Sequence, residues 1–138
     1  MKWCCFGILL LNSFAIKSQT ISTFAGCGTS CSGGDHAPAT AAGIDDPNGG
    51  IFDKFGNYYF AEPVGERIRK RSGTDTITTI AGAGSSGYTD NIPATTALLS
   101  TPTSVILDTF GNLYIDDANN NRIRKVAINT GIISTICG

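Results

Sequence analysis

The chain has 138 residues, of which 41% are hydrophobic and 15% charged, a balance that excludes a disordered polypeptide and suits a single packed domain. Ten Lys and Arg stand against 11 Asp and Glu, a net charge of −1, so no basic excess exists to draw the chain to nucleic acid.

The first predicted element is a secretory leader over residues 1–18. Lys2 precedes an apolar run at residues 3–11, and polar residues follow, which is the plan of a signal peptide cleaved after Ser18. The run is too short for a membrane span, which takes about 20 apolar residues. Loss of Lys2 and Lys17 leaves 8 basic residues against 11 acidic ones, a net of −3. The expected location is secreted, cell-surface or periplasmic. Cys4 and Cys5 fall in the leader, leaving Cys27, Cys31 and Cys137 beyond it. Three cysteines in an exported chain permit one internal bridge at most. Cys27 and Cys31, neighbours in a Gly/Ser-rich loop, form the candidate disulfide, and three unpaired thiols are the alternative. No zinc site is expected, because His36 is the only histidine and a second Cys pair is lacking.

Beyond the leader the chain repeats itself. The runs ISTFAG at 21–26, ITTIAG at 77–82 and ISTICG at 133–138 recur every 56 residues, each β-branched and closed by glycine, and each reads as a strand. After the first two comes a loop of about 20 residues carrying Pro-Ala-Thr at 38–40 and 93–95; loops of that length usually hold local order. Pro93 fits the first position of a short helical turn with Ala94, Ala97 and Leu98 on one side, and Pro38 begins a weaker copy. Next stands DKFGNYYFAEPVGERIRK at 53–70, answered 55 residues on by DTFGNLYIDDANNNRIRK at 108–125. Within these copies, residues 50–53 and 105–108 are read as a first strand, Gly-Asn as a hairpin turn, and the apolar run as a second strand. Residues 67–71 and 122–128 supply a third, and the Ile-rich run a fourth. Four short antiparallel strands per unit, apolar on both faces, define β-propeller blades in an all-β fold. No long period-3.6 stretch supports a helical solenoid. Repeat 1 covers about 27–82 and repeat 2 about 83–138, with 21–26 an orphan strand and the ring incomplete.

The acid-x4-Arg-x-Arg-Lys arrangement occurs twice, with Glu62 ahead of Arg67 and Asp117 ahead of Arg122. A carboxylate across a tight turn from an Arg forms a paired staple, so these four are read as structural salt bridges rather than a phosphate or RNA stripe. Asp117, Asn119 and Asn121 begin like a calcium loop, but Arg122 stands where glycine is required and Ile128 where glutamate is, so an Asn-rich turn is expected. The loops carry Asp35, His36, Asp45, Asp46, Tyr88, Asp90 and Asn91, the candidate binding residues of one face. In register only the pair Asp35/Asp90 keeps its character. With one histidine, no G-x-S-x-G and no phosphate loop, no catalytic residue, metal or cofactor is assigned.

The stretch GNLYIDDANNNRIRKV followed by TGIISTICG resembles the NHL repeat, and the long loop with Pro-Ala-Thr is similar to the variant of secreted bacterial NHL proteins. The resemblance covers 21–138. The first copy departs from it at Glu62, Pro63, Gly65 and Glu66. The resemblance implies a ring of about six blades, so two blades and one orphan strand imply a fragment of a longer propeller. Some relatives are enzymes, notably a lyase whose metal site is built from histidines, which a lone His36 does not supply. The expected function is an exported, non-enzymatic scaffold binding protein or glycan through its loop face. The alternative is the scaffold part of a larger propeller enzyme, a lyase or hydrolase-like protein with its catalytic residues outside this chain. Uncovered blades also imply self-association.

Overall fold

The computed structural model describes residues 19–28 and 33–138. The leader, its cleavage point and Cys31, hence the Cys27–Cys31 pairing, lie outside the described residues. Cys27 and Cys137 are both exposed.

Two twisted antiparallel sheets make the fold. The first contains β1 (Asn48–Phe52), β2 (Tyr58–Glu62), β3 (Arg67–Arg71) and β4 (Ile77–Ala81), in that order. The second adds β5 (Ile92–Pro93) outside β9 (Ile132–Cys137), followed inward by β8 (Arg122–Val126), β7 (Leu113–Asp117) and β6 (Pro102–Leu107). Two blades of four antiparallel strands are therefore present, as the repeat predicted. The first strands begin earlier than expected, at Asn48 and Pro102, while β8 stops at Val126 because Ala127 opens a turn closed by the Thr130 and Gly131 N–H groups.

The expected strand at 21–26 does not form a sheet. A strand is held by ladder bonds to a neighbour, and the described residues offer this segment none. Its end is nonetheless anchored as the end of β4 is. Gly26 N–H donates to Ala39 O at 2.8 Å and Cys27 N–H to Ala42 O at 3.0 Å, while Gly82 donates to Ala94 O at 2.9 Å and Ala83 to Ala97 O at 2.8 Å.

Both long loops carry the turn anticipated at Pro-Ala-Thr, a 3-10 turn at Ala39–Ala41 and another at Ala94–Thr96. The two copies form equally well although Gly43 stands where the second has Leu98, because the buried alanines, Ala39 and Ala42 or Ala94 and Ala97, hold the turn down. Each loop then covers the outer edge of its blade: β5 pairs with β9 through Ile92 and Ile133, and Pro38 bridges to Thr76. Closing that edge leaves fewer free backbone groups for stray pairing.

The main core lies between the sheets. Tyr59, Ala61, Ile68 and Ala81 of the first blade meet Val105, Leu113, Ile115, Val126 and Ile133 of the second, with Ala94, Ala97 and Leu99 of the connecting loop beneath. Full burial of each large aliphatic side chain contributes about 1.5–3 kcal/mol, so this interface joins the blades into one unit.

Candidate functional site

The Asp-Gly-Asn motif of the repeated stretch is a hairpin device. Asp108 Oδ1 accepts the N–H groups of Phe110 and Asn112 at 2.9 Å each, and Oδ2 accepts Asn112 Nδ2 at 2.7 Å and the Tyr114 hydroxyl at 3.2 Å. Asp53 does the same for Phe55, Asn57 and Tyr59. Asn112 and Asn57 then reach across to the N–H of Ile128 and of Gly73, tying the first hairpin to the second. The Asn112 side chain, backed by the other donors, holds the Asp108 carboxyl below its usual range.

At the other end of each blade sits a buried guanidinium. Arg69 Nη1 contacts both Glu62 oxygens at 3.2 and 3.3 Å, and its Nη2 donates to Asp35 Oδ1 at 2.8 Å and Gly33 O at 3.2 Å. Arg124 Nη1 donates to Asp117 Oδ2 at 2.8 Å, while Nη2 donates to Thr89 O and lies 3.3 Å from Asp90. Both arginines, Glu62 and Asp117 are fully buried. The carboxylates are further held by backbone: Ser100 N–H donates to Asp117 Oδ1 at 2.7 Å, and Asp45 N–H bonds Glu62. Burial pushes the Glu62 carboxyl up, against the downward pull of Arg69 and that N–H. Burial would also raise Asp90, but the N–H and hydroxyl of Thr135 and the hydroxyl of Tyr88 outweigh it and hold Asp90 below its usual range.

This corrects the expected staples. Glu62 faces Arg67, and Asp117 faces Arg122, as backbone partners, yet the ion pairs go to Arg69 and Arg124. The reason is depth. Arg69 lies beneath the loop, where the Gly33 and Gly43 carbonyls complete its coordination, whereas Arg67 escapes over Gly84. Arg122 instead stacks on Tyr88 at 4.2 Å and donates to Asn120 O at 2.8 Å. The Asn-rich turn is a 3-10 turn at Ala118–Asn120, left through Asn121 at φ 54°, and Glu66 holds the equivalent position at φ 52°. Among the described residues no group of three or more His, Cys, Asp or Glu could hold a metal ion.

The candidate binding residues separate. Asp35 and Asp90 serve the arginines, and Tyr88 donates to Asp90 Oδ2 at 3.1 Å. His36 and Asn91 are exposed, left-handed and bonded by their N–H groups to Ile77 and Ile133, on the outer edge of each sheet. Asp45 and Asp46 lead into β1 at the opposite edge. No single constellation gathers them. Beside Asp46, Thr23, Gly26, Cys27, Thr40, Ile44 and Pro47 line a cleft of about 630 Å³ that the sequence did not announce. Its counterpart in the second repeat is closed, since Leu99 and Pro102, equivalent to Ile44 and Pro47, are fully buried.

The architecture is that of propeller-like blades. No family model matches the chain. The auxiliary nutrient binding protein of Bacteroides ovatus ATCC 8483 superposes with a TM-score of 0.62 at 30% identity, covering 80% of this chain and 28% of that one. The auxiliary nutrient binding protein of Bacteroides thetaiotaomicron VPI-5482 gives 0.59 at 23% identity, over 76% of this chain and 26% of that one, a likeness of fold. Protein SUPPRESSOR OF QUENCHING 1, chloroplastic, of Arabidopsis thaliana is 30% identical over 94 residues, 67% of this chain. The chain spans 9% of that curated relative's length. Among the described residues, no helix is long and apolar enough to cross a membrane.

Proposed function

We propose that the chain is a segment of an NHL-type propeller, exported by its first 18 residues, whose loop face binds a protein or glycan without transforming it. The observation carrying this reading is the cleft beside residues 26–47, open in the first repeat and filled in the second. The repeated, charge-dense stretch is spent on holding the blades, so the long loop is where a ligand finds shape and polarity. The 30% identity to a nutrient binding protein supports binding over turnover.

Calorimetric titration of the full chain with a panel of soluble polysaccharides and secreted-protein extracts tests it. Thr40→Arg, which fills the cleft from an exposed position, abolishes the titration signal, while Phe110→Ser at the far end of the hairpins leaves it intact. Equal binding by wild type and Thr40→Arg, or chemical conversion of the bound material, overturns the reading. An intact Met1 in the mass spectrum of the product refutes export through a cleaved leader.

A further inference from the structure

We infer that a second cleft, between the hairpin ends of the two blades, binds an organic anion: a carboxylate on an aromatic or apolar body, held by Lys70 and by the rings of Phe55 and Phe110. This cleft, of about 760 Å³, lies at the end of β1 away from the long loop. One wall is the turn between β1 and β2, the other the turn between β6 and β7. Ile51 and Leu107, which pack against the core between the blades, stand at its base. Both walls and the base are thus this chain's own residues, and none of them lines the cleft beside Ile44. Its volume suits a small organic molecule, and such sites combine a mostly apolar lining with a few placed polar groups.

The apolar part is carried by the repeat. Phe55 and Phe110 hold the same place in the two turns, and they are 76% and 83% exposed. Among the described residues neither ring meets another aromatic ring. Two phenyl rings left in water beside one cleft are surface that the body of a ligand can cover.

The sign of the ligand follows from which charges are already committed. Asp53 and Asp108 line the cleft, but each carboxylate accepts four hydrogen bonds, from two backbone N–H groups, an Asn side chain and a Tyr hydroxyl. That is the full capacity of its two oxygens. Lys70 is the reverse case. It stands opposite Tyr59 across β2 and β3, and such partners share a face, so it rises from the side of the first blade that packs on the second. Its Nζ lies 5.5 Å from the centroid of the Tyr59 ring. Among the described residues it donates no hydrogen bond and forms no ion pair, and its attraction to Asp53 acts through space rather than through a bond. Lys54, at 5.1 Å over the Phe55 ring, is equally without an ion pair and already occupies that ring as its cation. Saturated acids and ammonium groups with unused donors suit an anion and not a cation. A carboxylate gains charge-assisted bonds from Lys70 while its apolar body lies against Phe55 and Phe110.

Calorimetric titration of the full chain with 2-naphthoate and with 2-naphthamide, alike in shape and different in charge, tests this. The naphthoate is expected to bind about tenfold tighter than the amide. Lys70→Gln is expected to bring it down to the level of the amide, and Lys70→Arg to retain most of the difference, with circular dichroism verifying that both variants fold. Phe110→Ser should weaken both probes while leaving any polysaccharide signal of the loop cleft, and Thr40→Arg should do the opposite, so the two sites fail separately. No heat from 2-naphthoate up to its solubility overturns the inference. Equal affinity for the two probes, or an unchanged affinity in folded Lys70→Gln or in Phe110→Ser, does the same. Loss of the naphthoate signal in Thr40→Arg would put the anion in the loop cleft and also overturns it.

Discussion

Arg69 Nη2 and Asp35 Oδ1 lie 2.8 Å apart across 34 residues of sequence, and Arg124 reaches Asp90 across the same span in the second repeat. In each case a guanidinium rooted in the third strand of a blade grips the loop that arrives from outside it. Each guanidinium also binds a buried acid from the second strand of its own sheet, so one side chain fastens loop, strand and strand together. The long loop is therefore laid over a buried ionic anchor, and its course is fixed by the blade beneath it.

The two acids of each anchor differ in depth, and their replacement should differ in cost. Asp117 is fully buried, with Ser100 N–H and Arg124 both depending on it, so Asp117→Ala strands a buried charge and is expected to cost about 3–5 kcal/mol. Asp35 is 40% exposed, and water replaces its contact, so Asp35→Asn is expected to cost at most about 1 kcal/mol. Urea denaturation of the two variants reads the difference. Equal losses would show that the outer acid carries as much of the anchor as the inner one.

Arg122 and Arg124 offer a second contrast, since sequence spacing favoured the first and the structure the second. Arg124→Ala leaves Asp117 buried without its guanidinium and is expected to destabilise by about 3–5 kcal/mol. Arg122→Ala removes a stack on Tyr88 and one bond to Asn120 O, together about 0.5–1 kcal/mol at a part-exposed site. Thermal unfolding of the pair, monitored by circular dichroism, ranks them. A larger loss for Arg122→Ala would restore the staple that spacing suggested.

Much of the fold was legible because the chain writes its blade twice. The offset between Asp53 and Asp108 fixes strand order and hairpin position, and a single copy of the motif would have left both ambiguous. The anchor was not legible, for a reason found in the strand period. Residues 67 and 69 lie on the same face as Glu62, so alternation cannot choose between them, and only the covering loop decides. A signal did exist: Asp35/Asp90 and Arg69/Arg124 recur at one offset, so two long-range partners kept in step could have been paired. The cleft beside Ile44 left no such trace, because its lining barely differs between the repeats, Thr40 matching Thr95 and Pro47 matching Pro102, and what closes the second copy is the packing of Leu99 into the core between the blades.

Asp108 links the hairpin to pH. Its carboxyl is held below the ordinary value of 3.8, chiefly by the Asn112 side chain, so the folded state binds its proton less tightly than the unfolded chain does. The stabilisation is complete above pH 3.8 and drains away as pH falls from there through the lower folded value. Asp108→Asn cannot titrate and should flatten the acid limb of a stability–pH curve, while lowering stability at neutral pH. Chemical denaturation from pH 6 to pH 2 measures both. An acid limb as steep in Asp108→Asn as in wild type would mean that the carboxylate does not contribute to it.

Gly82 ends the fourth strand of the first blade at a point where backbone meets backbone. Its φ is +92°, its N–H donates to Ala94 O at 2.9 Å, and a Cβ there would stand 2.2 Å from Glu66 O. Gly56, at φ +81°, has open space around it, so Gly56→Ala incurs only the left-handed conformation, about 1 kcal/mol. Gly82→Ala incurs that strain and a clash with a carbonyl that cannot swing aside, because Glu66 is itself left-handed and its side chain is committed to Thr101 N–H. The expected cost is about 1–3 kcal/mol beyond that of Gly56→Ala, with the blade interface loosened near Thr101. Hydrogen exchange localises it. Faster exchange at the Thr101 and Ala83 amides in Gly82→Ala, with the Asp53 hairpin unchanged, is the expected pattern, and uniform acceleration throughout the first blade would show that the strain spreads through the sheet instead.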